Sequence, residues 1–148
     1  MKRRSTVSAT VAIVASLVLA GSALAFSGAS NGSFEDGGYT PNALNFEALG
    51  AGSSDLTGWV IPGSIDWIGA YWSAAAGSKS LDMNGVGPGT ISQVLATTIG
   101  KTYVVSFSLS ANPDEGATVK TLTVGATGAS SKSYTYDRVA HSTTRANM

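Results

Sequence analysis

Between positions 102 and 110 the chain alternates Tyr103, Val105, Phe107 and Leu109 with Val104, Ser106 and Ser108, which predicts a β-strand with one buried face. Residues 118–124, rich in Thr and Val, and residues 133–136 predict two more strands, and Ile91 and Val94 make 90–95 a shorter β-like run. No window sustains the helical period of about 3.6 residues. A helical turn is expected only at 72–76, too short to form a layer. Gly- and Pro-rich clusters punctuate these runs, among them Asp36-Gly37-Gly38, Gly50-Ala51-Gly52-Ser53, Gly85-Val86-Gly87-Pro88-Gly89, Asn112-Pro113-Asp114-Glu115-Gly116 and Gly125-Ala126-Thr127-Gly128. They supply the positive or fixed φ that tight reversals need. Residues 36–54 form the longest stretch without a clear strand pattern and are read as a surface loop. Many short strands with such punctuation imply an all-β sandwich or jelly roll.

The first 25 residues stand apart from this pattern. Lys2-Arg3-Arg4 is a basic start, residues 7–19 are dominated by Val, Ala, Ile and Leu, and Ala23-Leu24-Ala25 has the small-x-small form that signal peptidase reads. Residues 1–25 are therefore expected to be a signal peptide cleaved after Ala25, leaving Phe26 as the mature N-terminus. A membrane anchor is disfavoured because Ser8, Thr10, Ser16, Gly21 and Ser22 dilute the run, and a spanning helix needs about 20 mainly apolar residues. The expectation is a secreted protein with no membrane span after cleavage. Arg3-Arg4 also fits twin-arginine export, a weaker reading because paired basic residues are ordinary in such starts.

Losing the leader changes the charge balance. The whole chain is neutral, with nine basic and nine acidic side chains, but Lys2, Arg3 and Arg4 leave with the leader, so residues 26–148 are mildly acidic. The remaining cations, at 79, 101, 120, 132, 138 and 145, form no run. Nucleic acid is thereby set aside as a partner, since that affinity comes chiefly from Lys and Arg neutralising phosphates. The chain has no cysteine. An exported domain of this size must then be held by a core, a metal or both, and residues 26–148 suffice for one domain rather than two.

Four blocks in order, Asn31-Gly32-Ser33-Phe34-Glu35, Leu56-Thr57-Gly58-Trp59, Ser64-Ile65-Asp66-Trp67-Ile68-Gly69 and Ser80-Leu81-Asp82, are joined by Tyr71-Trp72, Gly89-Thr90-Ile91-Ser92-Gln93, Lys101-Thr102-Tyr103-Val104-Val105-Ser106-Phe107 and Ala146-Asn147-Met148. In this arrangement the chain resembles the bacterial choice-of-anchor C family and the related plant cell-wall domain-of-unknown-function family. The resemblance implies a galactose-binding-like jelly-roll β-sandwich. Members of these families continue past the Ala-Asn-Met block with further strands, so the domain is expected to be incomplete at the C-terminus and to lack its closing strands.

The resemblance also implies chemistry. A glutamate just after the first Asn-Gly turn, here Glu35, is expected to ligate a structural calcium, with Asn31 and Asp82 as lesser ligand candidates. Calcium suits such a loop because it is a hard ion that takes six to eight oxygens in irregular geometry. The alternative for Glu35 is a solvated carboxylate on an edge strand.

Trp67, Tyr71 and Trp72 are the ligand-contact candidates, because an exposed aromatic face can stack on a sugar ring. Core packing is the competing reading and is the stronger one for Trp59 and Trp67. Catalysis finds little support. His141 is the only imidazole, and a zinc site would need His and Cys clusters. Glu35, Asp66 and Asp82 would serve a glycosidase only if two of them flanked a cleft at about 5–9.5 Å. The expected function is a secreted, non-enzymatic module, at a bacterial cell surface or outside the cell, that binds a glycan or cell-wall polymer. The alternative is a structural or adhesive surface protein with no small ligand.

Overall fold

The structure is a computed structural model and describes residues 10–12, 28–114 and 116–148. Apart from Thr10, Val11 and Ala12, the expected leader lies outside the described residues, as does Glu115 of the expected turn at 112–116. The described elements are all strands: β1 (Thr10–Ala12), β2 (Phe46–Leu49), β3 (Ile65–Ile68), β4 (Ser80–Asp82), β5 (Ser108–Ser110), β6 (Val119–Val124) and β7 (Lys132–Asp137). They form a five-stranded sheet in the order β2-β3-β4-β1-β5 and a two-stranded sheet β6-β7, with every pairing antiparallel. The all-β class expected from the alternating pattern is the class observed. Among the described residues no helix is long and apolar enough to cross a membrane.

β3 is the spine of the core. Ile65 and Trp67 point to one face and are fully buried, and Ile68 on the other face is buried too, as expected of a strand flanked on both sides by β2 and β4. Around Trp67 gather Phe34, Leu49, Leu56, Ile61, Leu81 and Met83, with Trp59, Ile91, Phe107, Leu109 and Leu122 packed against them. Burying aliphatic and aromatic side chains of this size contributes about 1.5–3 kcal/mol each. Leu122 lies on β6, so the small sheet joins this core. On β6 the inward positions are Lys120, Leu122 and Val124, the period of two read from the sequence.

Four expectations are corrected. The stretch 36–54, read as a loop, contains β2, whose four residues pair with β3 from Phe46↔Ile68 to Leu49↔Ile65. A four-residue strand beside Asn45 and Gly50 is too short to show alternation, and its partner rather than its own sequence makes it a strand. The predicted strand at 102–110 is strand only at Ser108–Ser110, the stretch facing β1. The run at 90–95 contributes only the bridge Val60↔Ser92, and 72–76 forms bends rather than a helical turn. The predicted strands at 118–124 and 133–136 correspond to β6 and β7.

β1 departs most from expectation. It lies inside the expected leader, yet it occupies a central sheet position, with Thr10 opposite both Asp82 of β4 and Ser110 of β5.

Candidate functional site

The Asn31-Gly32-Ser33-Phe34-Glu35 block builds a turn that positions the neighbouring carboxylate. Asn31 and Phe34 adopt left-handed φ values of 49° and 63°, which Asn tolerates through local hydrogen bonding. The Asn31 side-chain amide donates to the carbonyls of Asp36 (2.8 Å) and Thr57 (2.9 Å), and its Oδ1 accepts the Asp36 amide (3.0 Å). Its backbone carbonyl accepts the Trp59 indole N–H at 3.0 Å. Both ends of the Asn31 side chain are thus spent on closing the turn.

Glu35 leaves this turn toward the loop before β4. Its Oε1 accepts the amides of Ser78 and Lys79, each at 2.8 Å, and its Oε2 accepts the Ser78 hydroxyl at 2.6 Å. Partial burial raises the Glu35 pKa, but the Ser78 hydroxyl, the two amides and the Lys79 charge outweigh it and hold the carboxyl below its ordinary value. Gly77 makes the approach possible, since its φ is +67° and a Cβ there would collide with Glu35 Oε1.

Asp82 has other partners. It is buried on β4, accepting the Asn84 amide at 3.0 Å and the Asn112 side-chain amide at 3.1 Å. Burial, aided by the charge of Asp66, pushes its pKa up to about 6 against the pull of Asn112, Asn84 and Lys120. Asp66 sits directly opposite on β3, its own pKa also raised by burial. Asn31, Glu35 and Asp82, the expected calcium ligands, are therefore each engaged with separate protein groups. Among the described residues no group of three or more His, Cys, Asp or Glu is placed to hold a metal. These three side chains have separate partners and do not share one site.

The structure places the aromatic candidates as follows. Trp67 is 0% exposed and its indole donates to the Phe34 carbonyl at 2.9 Å. Trp72 is 4% exposed, with its N–H on Ser80 Oγ at 2.8 Å. Both indoles have satisfied their polar atom internally and offer no open face. Tyr71 is half-buried, but the Arg145 guanidinium lies 4.0 Å above its ring, with Phe46 and Trp72 at its edges. The Tyr71 hydroxyl donates to Asp114 (3.1 Å) and accepts from Arg145 (2.7 Å), and Arg145 also binds the Asp114 carboxylate at 2.9 Å. This triad joins the 71–72 segment to residues 114 and 145 rather than presenting a platform.

The structure assembles instead a groove of about 600 Å³ beside these residues, with Tyr39, Asn45, Trp72, Ser73, Ser78 and Lys79 in its wall. Tyr39 is held edge-on against Trp67 (4.9 Å between ring centres), its hydroxyl donates to the Asn45 carbonyl at 2.8 Å, and the Lys79 ammonium lies 4.4 Å over its ring. Glu35 supports the groove from behind through Ser78 and Lys79. Tyr39 and Lys79 are not singled out by the sequence; one lies in the stretch read as loop and the other is an isolated cation.

The His141 ring stacks on Tyr136 (4.5 Å) and its Nδ1 contacts the Asp137 carbonyl at 2.8 Å.

A family described as "Protein of unknown function (DUF642)" matches residues 28–147. The chain is also 36% identical over 108 residues to a halomucin of Haloquadratum walsbyi, a match covering 65% of this chain and 1% of that protein's length. No solved structure matches.

Proposed function

From a chain that belongs to the DUF642 family, we propose a non-enzymatic module of an extracellular surface protein, one that binds carbohydrate or another cell-surface polymer in the Tyr39–Lys79 groove. The observation that carries this reading is the groove itself, where Tyr39, with the Lys79 ammonium over its ring, shares a wall with Asn45, Ser73 and Ser78. Its volume falls in the range of about 300–1,000 Å³ typical of small-ligand sites. The hydroxyl and amide groups of this wall suit a pyranose, whose rim carries hydroxyls. Lys79 adds a donor for those hydroxyls or for a uronate carboxylate. Glu35, the acid behind the groove wall, spends its carboxylate on the loop, which supports binding over catalysis. The similarity to a halomucin supports the extracellular surface location. The galactose-binding-like jelly roll and the choice-of-anchor C relationship belong to the same reading.

Calorimetric titration of the full chain with soluble polysaccharides tests it. Saturable binding is expected, weakened at least threefold by Lys79→Gln and unchanged by Arg145→Gln. Absence of saturable binding across a glycan array would overturn it. Val86, Val94 and Ile99, all fully on the surface, favour the second reading of an adhesive protein, which predicts concentration-dependent self-association without any glycan signal.

A further inference from the structure

Asn112 stands just past the end of β5, and Lys120 is the second residue of β6, eight positions further on. Both are buried, at 9% and 1% exposed, and so is Asp82 on β4 at 3%. The Asn112 carboxamide is gripped at both ends: Nδ2 donates to Asp82 Oδ2 at 3.1 Å, and Oδ1 accepts the Asp114 amide at 2.9 Å. Lys120 acts on the same Asp82 carboxyl through its charge. Arg138 draws the two ends of the connecting loop together, its guanidinium donating to the Pro113 carbonyl at 2.7 Å and its backbone amide to the Thr118 carbonyl at 3.1 Å. A buried lysine, a buried carboxamide and a buried carboxyl group on the carboxamide nitrogen supply what an amide exchange needs: a nucleophile, an acyl donor and a proton carrier.

We propose that Lys120 and Asn112 form an autocatalytic crosslinking site, in which Lys120 Nζ displaces the Asn112 side-chain nitrogen as ammonia and Asp82 carries the protons. Asp82 takes one proton from the Lys120 ammonium, and the neutral amine adds to Asn112 Cγ. The negative charge that develops on Oδ1 falls on the Asp114 N–H that already binds it. Asp82 then hands its proton to Nδ2, the Cγ–Nδ2 bond breaks, and the ammonia departs with the second Nζ proton as ammonium, leaving Asp82 a carboxylate again. An ammonium and a primary amide thus become a secondary amide and an ammonium ion, with no net change in charge or oxidation state. Burial supports each part. Desolvation favours the neutral amine of a lysine, and Asp82, its pKa raised to about 6, exchanges a proton readily near neutral pH. Pro113 closes the competing route, because an asparagine side chain is otherwise open to attack by the next backbone N–H, and proline has none. The bond ties the end of β5 to β6, and so the five-stranded sheet to the two-stranded one, in a chain without cysteine. Until it forms, Lys120 is a cation acting on Asp82; afterwards that charge is gone. This inference is independent of the glycan groove.

The test is peptide mass spectrometry of the full chain after trypsin, read at residues 102–132 so that the outcome does not depend on either end of the chain. Cleavage after Lys120 is expected to fail, and the 102–132 peptide should be lighter than its sequence by one ammonia, with no backbone fragments from between Asn112 and Lys120. Lys120→Arg should restore cleavage and full mass. Asp82→Asn, which keeps an acceptor for the Asn84 amide, should lower the linked fraction at least tenfold in protein prepared in parallel and shown to unfold cooperatively. Complete cleavage after Lys120 in the wild-type chain, with both peptides at their sequence mass, would overturn the proposal. Loss of water in place of ammonia would move the bond to Asp82 and overturn the role of Asn112, and an unchanged linked fraction in Asp82→Asn would overturn that of Asp82.

Discussion

Glu35 and Ser78 form a two-point contact across 43 positions of sequence, the Ser78 amide on Oε1 at 2.8 Å and the Ser78 hydroxyl on Oε2 at 2.6 Å. It ties the first turn of the domain to the loop that shapes the groove. Glu35→Gln keeps the shape but removes the charge that these donors favour. Because the site is largely exposed, the expected loss is about 1 kcal/mol at neutral pH, below the range for fully buried charged hydrogen bonds. The sign with pH follows from the lowered pKa of Glu35. Its stabilisation is present above the unfolded value of 4.5 and is lost as pH falls through the lower folded value. Urea unfolding from pH 7 downward should show the wild-type and Glu35→Gln curves converging below pH 4.5. Millimolar calcium tests the metal expectation for Glu35: a rise in melting temperature that Glu35→Gln abolishes would support it, and an unchanged melting temperature would count against it.

Asp82 behaves in the opposite sense. Its pKa is raised to about 6 from 3.8, so its contribution is fully present below 3.8 and is lost as pH rises through about 6. The loss is on the order of 2–3 kcal/mol, at about 1.4 kcal/mol for each tenfold gain in the proton affinity of the carboxyl on folding. Asp82→Asn retains an acceptor for the Asn84 amide and has no charge to bury. It should flatten the decline in stability between pH 4 and pH 8, measured by denaturant midpoint. An unchanged decline in the variant would assign the pH dependence to another group.

Trp67 reports on the core and not on ligand. It is fully buried at the centre of the cluster, so Trp67→Ala should cost about 3–5 kcal/mol, as truncation of a buried aromatic does. Denaturant unfolding of the full chain checks this. Arg145→Gln, which uncovers the Tyr71 ring at an exposed position, should leave the unfolding midpoint within error.

How much of this is legible in the sequence depends on whether a residue's role is local. β6 and β7 can be read because their alternation covers six residues each, and Trp59 and Trp67 belong to the core on size and chemistry. β2 escapes because a four-residue strand takes its identity from the partner at Ile65–Ile68, a non-local relation that no short window contains. The same reason hides Tyr39 and Lys79, which meet through a cation–aromatic contact across 40 positions. Glu35 stands out in the sequence as a residue with a specific task. Its partners, a hydroxyl and two amides at Ser78 and Lys79, carry no sequence signature. Residues 71–72 look like a ligand platform because exposure cannot be read from aromatic spacing, and Arg145, which covers Tyr71, lies 74 residues away.

Lys120 supplies the last prediction. It is 1% exposed on the inward face of β6, and its charge lowers the pKa of Asp82, whose other neighbours are Asp66, Asn84 and Asn112. Replacing it with methionine keeps the length of the side chain and removes one charge next to the buried Asp82, which is costly while that carboxylate is ionised. Below pH 6 Asp82 is largely protonated, so less uncompensated charge is left behind. Lys120→Met should then lose less stability relative to wild type at pH 5 than at pH 8. Without the cation, the folded pKa of Asp82 moves above 6, so more stability is lost as pH rises through it. The gap between the variant and wild-type stability curves should therefore widen from pH 5 to pH 8. Carboxyl-carbon NMR titration of Asp82 measures the change directly. A pKa for Asp82 that stays put or falls in Lys120→Met would show that the two groups are not electrostatically coupled in the folded protein.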